Sequence, residues 1–167
     1  MTMTLVETIT VGSGGVSSID FTNIPQEAGA DLMILYSGRA SNLIEKLTFN
    51  SDTANNYKYK MLKGSDTAAS NNGEDAASSI TFRSSTELGQ TANTFGNASI
   101  LISNYTSTTT KSVSIDAVSE HNGEVGTSYR NIVAGSYTTT SPITSISWNS
   151  NGGTTFEHTT ASLYIIS

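Results

Sequence analysis

Both histidines of the chain sit in the same dipeptide context, Glu120-His121 and Glu157-His158. Two imidazoles and two carboxylates are the set that a divalent metal or a general acid-base pair would use. In a strand, however, neighbouring side chains leave opposite faces, so neither glutamate orients its own histidine and a site would need the two dipeptides paired across strands. Two solvent-exposed histidines and no metal site are expected. The oxygen-rich run Phe49-Asn-Ser-Asp-Thr-Ala-Asn-Asn-Tyr57 could bring Asn50, Asp52 and Asn55 toward one hard cation. Calcium takes about six to eight oxygens, several from carboxylates, and the spacing departs from the EF-hand loop, so a turn closed by Asx hydrogen bonds is expected there.

Other chemistries are less well provided for. Serines abound, but no G-x-S-x-G elbow presents one as a nucleophile. Glycoside hydrolysis needs two carboxyls facing each other in an aromatic cleft. The sole tryptophan, Trp148, shares the parity of Ile146 and is expected in the core. Val11-Gly-Ser-Gly-Gly15 opens no helix and reads as a flexible turn, not a phosphate loop. The sequons Asn97-Ala-Ser99 and Asn104-Tyr-Thr106 arise readily by chance in such a chain. No catalytic, cofactor-binding or metal-ligating residue is assigned, no cofactor is implied, and the chain is read as a non-enzyme.

The elements that must position any site are strands. Apolar residues recur at every second position in short runs: Leu5, Ile9 and Val11; Ile19 and Phe21; Leu43, Leu47 and Phe49; Ile80 and Phe82; Ala98, Ile100 and Ile102. The same period continues through Val113, Ile115 and Ala117, Ile146 and Trp148, and Leu163 and Ile165, as expected of strands with one buried face. The continuous run Leu32-Met-Ile-Leu-Tyr36 predicts a central strand covered on both sides. In the last strand, Leu163 and Ile165 face the core, leaving Tyr164 and Ile166 for a second packed surface such as a subunit interface. Turn formers separate the runs at Gly12–Gly15, Asn55-Asn56, Asn71-Asn72-Gly73, Asn122-Gly123 and Asn149–Gly153. Two stretches lack apolar anchors, Gly64–Ala77 and Ser84–Asn97, and are expected to be long surface loops that carry partner contacts. The pattern predicts an all-β fold, one domain over residues 1–167 with about ten or eleven strands closed into a sandwich or a barrel.

Composition narrows the partners. Charged residues are only 13% of the chain, and roughly three residues in ten are Ser or Thr. Regular Val, Ile, Leu, Phe and Tyr argue against disorder. A net charge of −6 with eight scattered Lys and Arg speaks against nucleic acid. Cysteine is absent, so stability rests on packing in any redox compartment. The N-terminal segment lacks a signal-peptide pattern and no stretch approaches the ~18 apolar residues of a membrane span, so no membrane partner and cytoplasmic folding are expected, with any later export as part of something larger.

Several strings then carry a resemblance: Ile19-Asp-Phe-Thr-Asn-Ile-Pro25, Asp31-Leu-Met-Ile-Leu-Tyr-Ser-Gly-Arg39, Leu47–Tyr57, Ala92-Asn-Thr-Phe-Gly-Asn-Ala-Ser-Ile100, Ile102–Ser107 and Lys111–Ser119. Together they resemble small virion proteins encoded by tailed phages of aquatic bacteria, from about residue 5 to the C-terminus. The resemblance implies a jelly-roll-like antiparallel β-sandwich on the outside of the virion, assembled in the host cytoplasm. It implies either a capsid decoration (cement) protein, a homotrimer bound to the major capsid protein, or part of a tail fibre. The tail-fibre alternative would bind a receptor or host surface glycan, with Tyr57, Tyr59, Tyr105, Tyr129 and Tyr137 as exposed sugar platforms.

Overall fold

The structure, a computed structural model, describes residues 1–65, 68–119, 128–150 and 156–167. Among them there is no helix. The strands are β1 (Met3–Val11), β2 (Ser18–Phe21), β3 (Asp31–Ala40), β4 (Glu45–Phe49), β5 (Tyr57–Ser65), β6 (Ala68–Ala77), β7 (Ile80–Phe82), β8 (Thr86–Glu87), β9 (Gly96–Ile102), β10 (Lys111–Ser119), β11 (Tyr129–Tyr137), β12 (Ile146–Ser150) and β13 (Phe156–Ile166). They form a jelly-roll-like β-sandwich of two unequal layers. The large sheet runs β1-β13-β3-β9-β10-β11-β5-β6, with β8 beside β3, and the small one runs β2-β12-β4-β7. All pairings are antiparallel except the short β3–β8 contact.

Period-two patterning produces this layering directly. On the large sheet, Leu163, Ile34, Ile100, Ile115, Val133 and Met61 stand in register across six strands, each facing inward. The small sheet answers with Ile19, Phe21, Leu47, Phe49, Ile80, Phe82, Ile146 and Trp148, all buried. Trp148 lies at the centre, 4.3 Å from the Tyr36 ring and 5.2 Å from Phe82, and it joins the layers by the offset ring contacts that aromatic quadrupoles favour.

The core also encloses a carboxyl. Glu45 of β4 is fully buried and accepts hydrogen bonds from Ser84 Oγ, from the Ser85 backbone N–H (2.9 Å) and from Trp148 Nε1 (3.0 Å). Ser85 extends the network to the other layer, through its Oγ to the Tyr36 hydroxyl and through its carbonyl to the Ser119 hydroxyl (2.7 Å).

The structure corrects several expectations. Thirteen strands lie among the described residues, more than expected; Ala68–Ala77 is a strand and not a loop, and Asn71-Asn72-Gly73, expected as a turn, is paired strand within it. β6 is an edge strand with nearly every residue exposed, so it needs no apolar face and leaves no alternation to read. Ser84–Asn97 is not simply a surface loop either: Ser84, Ser85 and Thr86 are buried, and Thr86–Glu87 pairs with β3. The Leu32–Tyr36 strand is central, but only Leu32, Ile34 and Tyr36 are covered, while Met33 and Leu35 look outward. In β1 a bulge between Leu5 and Glu7 reverses the parity, turning Leu5 out while Ile9 and Val11 face inward. Trp148, Leu163 and Ile165 are in the core as expected.

Burial pushes the Glu45 carboxyl from an ordinary 4.5 up to about 7, outweighing the three donors that favour its charged form. Between those values the folded chain holds a proton that the unfolded chain has released. The stability this group contributes is therefore complete below the lower value, falls as pH rises through the window and is gone above the upper one, a loss of about 3 kcal/mol. Calorimetry should show the melting temperature declining across that window, and Glu45→Gln should flatten the decline; an unchanged slope in the variant would exclude Glu45 as its source.

Candidate functional site

The Glu157-His158 dipeptide lies where β13 departs from regular pairing. The register with β3 shifts between Glu157, opposite Arg39, and Thr160, opposite Ser37, so one extra residue is accommodated in β13. Thr159 turns inward, its Oγ1 bridging the N–H and C=O of Arg39 at 3.3 Å each. Gly38 is required there, because a Cβ would overlap both Thr159 Oγ1 and the Tyr36 hydroxyl. His158 adopts φ 49°, in the left-handed region that is uncommon outside glycine. The bulge defeats the alternation expected of a strand: Glu157 and the exposed His158 line the same cleft.

The opposite wall is the segment from Leu88 to Phe95, and one cation shapes it. Arg39 is 6% exposed, and its guanidinium donates to acceptors of this segment and of Glu87 just before it. Nη1 reaches the carbonyls of Thr91 and Thr94 at 2.8 Å each, and Nη2 those of Glu87, Leu88 and Gln90 at 3.0–3.2 Å. A guanidinium in a cage of carbonyl dipoles satisfies its donors without a carboxylate partner. Gly96, where the loop enters β9, lies against the Ser84 carbonyl with no room for a Cβ. The result is an open cleft of about 310 Å³ with Phe95 at its edge, 43% exposed.

The remaining candidates are dispersed. Glu120-His121 lies outside the described residues, as do the Asn122-Gly123 turn and Asn151–Gly153. Among the described residues, no three His, Cys, Asp or Glu side chains gather as metal ligands. Asn50, Asp52 and Asn55 form the expected turn. Asp52 Oδ1 accepts the Ala54 N–H (2.9 Å), and Oδ2 accepts Asn56 Nδ2 (2.8 Å) and the Tyr137 hydroxyl (3.0 Å). These bonds, the Asn56 amide foremost, hold its carboxyl below the usual range. Asn50 turns away, its Oδ1 accepting the N–H groups of Thr144 and Ser145 at 2.8 and 3.2 Å.

The tyrosine platforms are overturned: Tyr57, Tyr59, Tyr105 and Tyr137 are at most 3% exposed, their rings serving the core, with the hydroxyls of Tyr57, Tyr105 and Tyr137 binding nearby turns and that of Tyr59 reaching Glu74 of β6. Tyr129 is half-buried, with the Arg83 guanidinium 4.7 Å and Lys63 Nζ 5.3 Å from its ring centre. Arg39, Glu45 and the buried Lys111, whose Nζ donates to the Ser141 carbonyl at 2.6 Å, went unread in the sequence. For Glu45 the signal was present, since it shares the parity of Leu47 and Phe49. Arg39 carries none, because it sits at an outward position that a distant loop folds over.

A second surface lies on the outward face of the large sheet. Register places Leu5, Tyr164, Met33 and Leu101 in one unbroken row across β1, β13, β3 and β9. Met3, Leu5 and Leu35 are 46%, 53% and 39% exposed, and Tyr164 and Ile166 are half-buried beside them. Farther along the face, Ser114 continues the row and the Asp116–Arg130 ion pair (2.8 Å) ends the apolar character.

No family model matches the chain, and no curated protein matches it. Among solved structures, it is similar to the galectin LEC-6 of Caenorhabditis elegans, with 11% identity and a TM-score of 0.37 over 93% of this chain and 94% of that one. It is similar also to a toad ovary galectin solved with thio-digalactose, with 12% identity and a TM-score of 0.34 over 87% and 98% of the two chains. Neither likeness is close enough to transfer a function.

Arg39→Met should keep the sandwich but release the cleft wall, because up to five carbonyls lose a charged donor, at a cost of about 3 kcal/mol. Hydrogen exchange at the Leu88 and Gln90 amides, now bonded to the Ala40 and Glu87 carbonyls, should accelerate while the β9–β10 amides stay protected; equal protection in variant and wild type would refute the cage.

Proposed function

We propose that this chain is a non-catalytic docking protein of a tailed-phage virion, a capsid decoration (cement) protein that binds the major capsid protein as a homotrimer and stabilises the mature shell. The virion context comes from the sequence strings that resemble phage structural proteins. The observation that carries the docking role is the apolar row Leu5–Tyr164–Met33–Leu101 on the outward sheet face, away from the Arg39 end of β3 that the Leu88–Phe95 segment folds over. A contiguous exposed apolar patch on a soluble fold marks an interaction surface more often than scattered single residues do.

The physical role is mass action. A protein that binds only the expanded shell, across junctions that expansion creates, lowers the free energy of that state alone. Such work needs a rigid, repetitive, self-complementary surface and no turnover. A strand row meets this need because the sheet's hydrogen bonds fix side-chain spacing across β1, β13, β3 and β9, leaving little to order on binding.

Leu5→Glu tests the surface. Since Leu5 is largely exposed, its replacement should change stability by no more than about 0.5 kcal/mol, yet it should abolish rebinding of the purified chain to particles stripped of it. Virions lacking the chain should release DNA at lower temperature. Equal release temperatures would exclude the cement role, and a copy number of about a dozen in place of hundreds would move the chain to the tail.

A further inference from the structure

The geometry points to a second, separate site: the cleft between the β13 bulge and the Leu88–Phe95 segment binds a neutral saccharide. Three features together mark it as a built site. It is walled by two residues other than glycine with positive φ, His158 at 49° and Asn93 at 62°. Backbone held in such conformations by its surroundings occurs preferentially where a ligand is positioned. It is bordered by a bulge that brings two adjacent polar residues, Glu157 and His158, into one lining. And its far wall is held by the caged guanidinium of Arg39, so the cleft is built before any ligand arrives.

The lining selects the chemistry. The Phe95 ring, part exposed at the edge, offers an apolar face on which the C–H groups of a pyranose can stack. The same lining includes Gln90, Asn93, Glu157 and His158, residues that bring two amides, a carboxylate and an imidazole to the cleft. Amides and imidazole both donate and accept, and a carboxylate accepts, which is the complement needed by vicinal hydroxyls. A volume of about 310 Å³ is at the lower end of small-molecule sites, about 300–1,000 Å³, and fits one or two sugar rings.

Competing ligands fit less well. An anion would look to Arg39, but both of its terminal nitrogens are engaged by loop oxygens, and Glu157 repels negative charge. A metal would need further ligands than Glu157 and His158, and no third His, Cys, Asp or Glu joins them among the described residues. Hydrolysis of the sugar would need a second carboxyl across the scissile bond, and Glu157 is the one carboxylate in the described lining. The cleft is therefore a site of binding and not of turnover. It is distinct from the apolar row, so a virion protein could dock by one surface and hold a glycan by the other.

The test is a nuclear magnetic resonance titration of the full chain with methyl glycosides of glucose, galactose and mannose and with N-acetylglucosamine. At least one should bind with a dissociation constant of about 1 mM or tighter, shifting the amides of Gln90–Phe95 and Glu157–His158. Phe95→Ala should weaken that binding about tenfold or more with the melting temperature unchanged, and Glu157→Gln should weaken it as well. Absence of binding across the panel, shifts confined to other residues, or full affinity in both variants would each overturn the assignment. None of these outcomes depends on whether Leu5 docks to a capsid.

Discussion

Glu45 is a carboxyl that water cannot reach, and the three donors around it must be held in place by the chain itself. Two of them belong to the turn that follows β7 and the third to Trp148, so one side chain ties together β4, β12 and the start of the Ser84–Phe95 excursion. Through Ser85 the same network reaches Tyr36 and Ser119 in the opposite layer. Greasy contacts between two sheets are tolerant of sliding, whereas a buried polar group loses several kcal/mol of solvation unless each partner is met. This network therefore sets the relative placement of the layers. It also sets where the chain leaves the core to run over the end of β3, which decides the position of the cleft.

The same economy recurs in the connections. With no cysteine and no helix among the described residues, side chains take over the fixing of irregular backbone. Arg39 gathers the carbonyls of 87–94, Lys111 those of Thr139 and Ser141, and Asn50 the amides of 144–145, while the Tyr105 hydroxyl is shared between Pro25 and Glu27. Two of these agents are cations buried without a carboxylate partner among the described residues, and burial lowers the affinity of Lys111 for its proton. Carbonyl dipoles compensate them, so loss of such a side chain leaves several acceptors unmet at once.

How much of this could be read beforehand follows from what each residue depends on. Strand positions such as Ile34, Ile100, Ile115 and Trp148 depend on their near neighbours and the period of the backbone, and these were legible. β6 was not, because a two-sided edge strand carries polar residues throughout and its pairing partner β5 alone defines it. The cleft was half visible: Glu157-His158 stood out by type, but alternation predicted that the two diverge. What brings them together is an extra residue in β13 and the missing Cβ of Gly38, neither of which leaves a periodic trace. The tyrosines misled for a related reason, since a phenol is equally at home on a surface and in a core where its hydroxyl finds a carbonyl.

The edges of the large sheet carry a further consequence. A long strand with one free side is a template on which another chain can stack, and a protein held at high local density on any lattice would meet its copies edge to edge. β6 closes one margin with Ser70, Asn71, Asn72, Gly73, Glu74 and Asp75, all poor in β-propensity and half of them charged or flanking a charge. At the other margin β1 carries a bulge that breaks the regular ladder between Leu5 and Glu7. Both margins thus resist endless accretion into fibrils, and crowding is channelled to the broad face, where contact is finite and saturable.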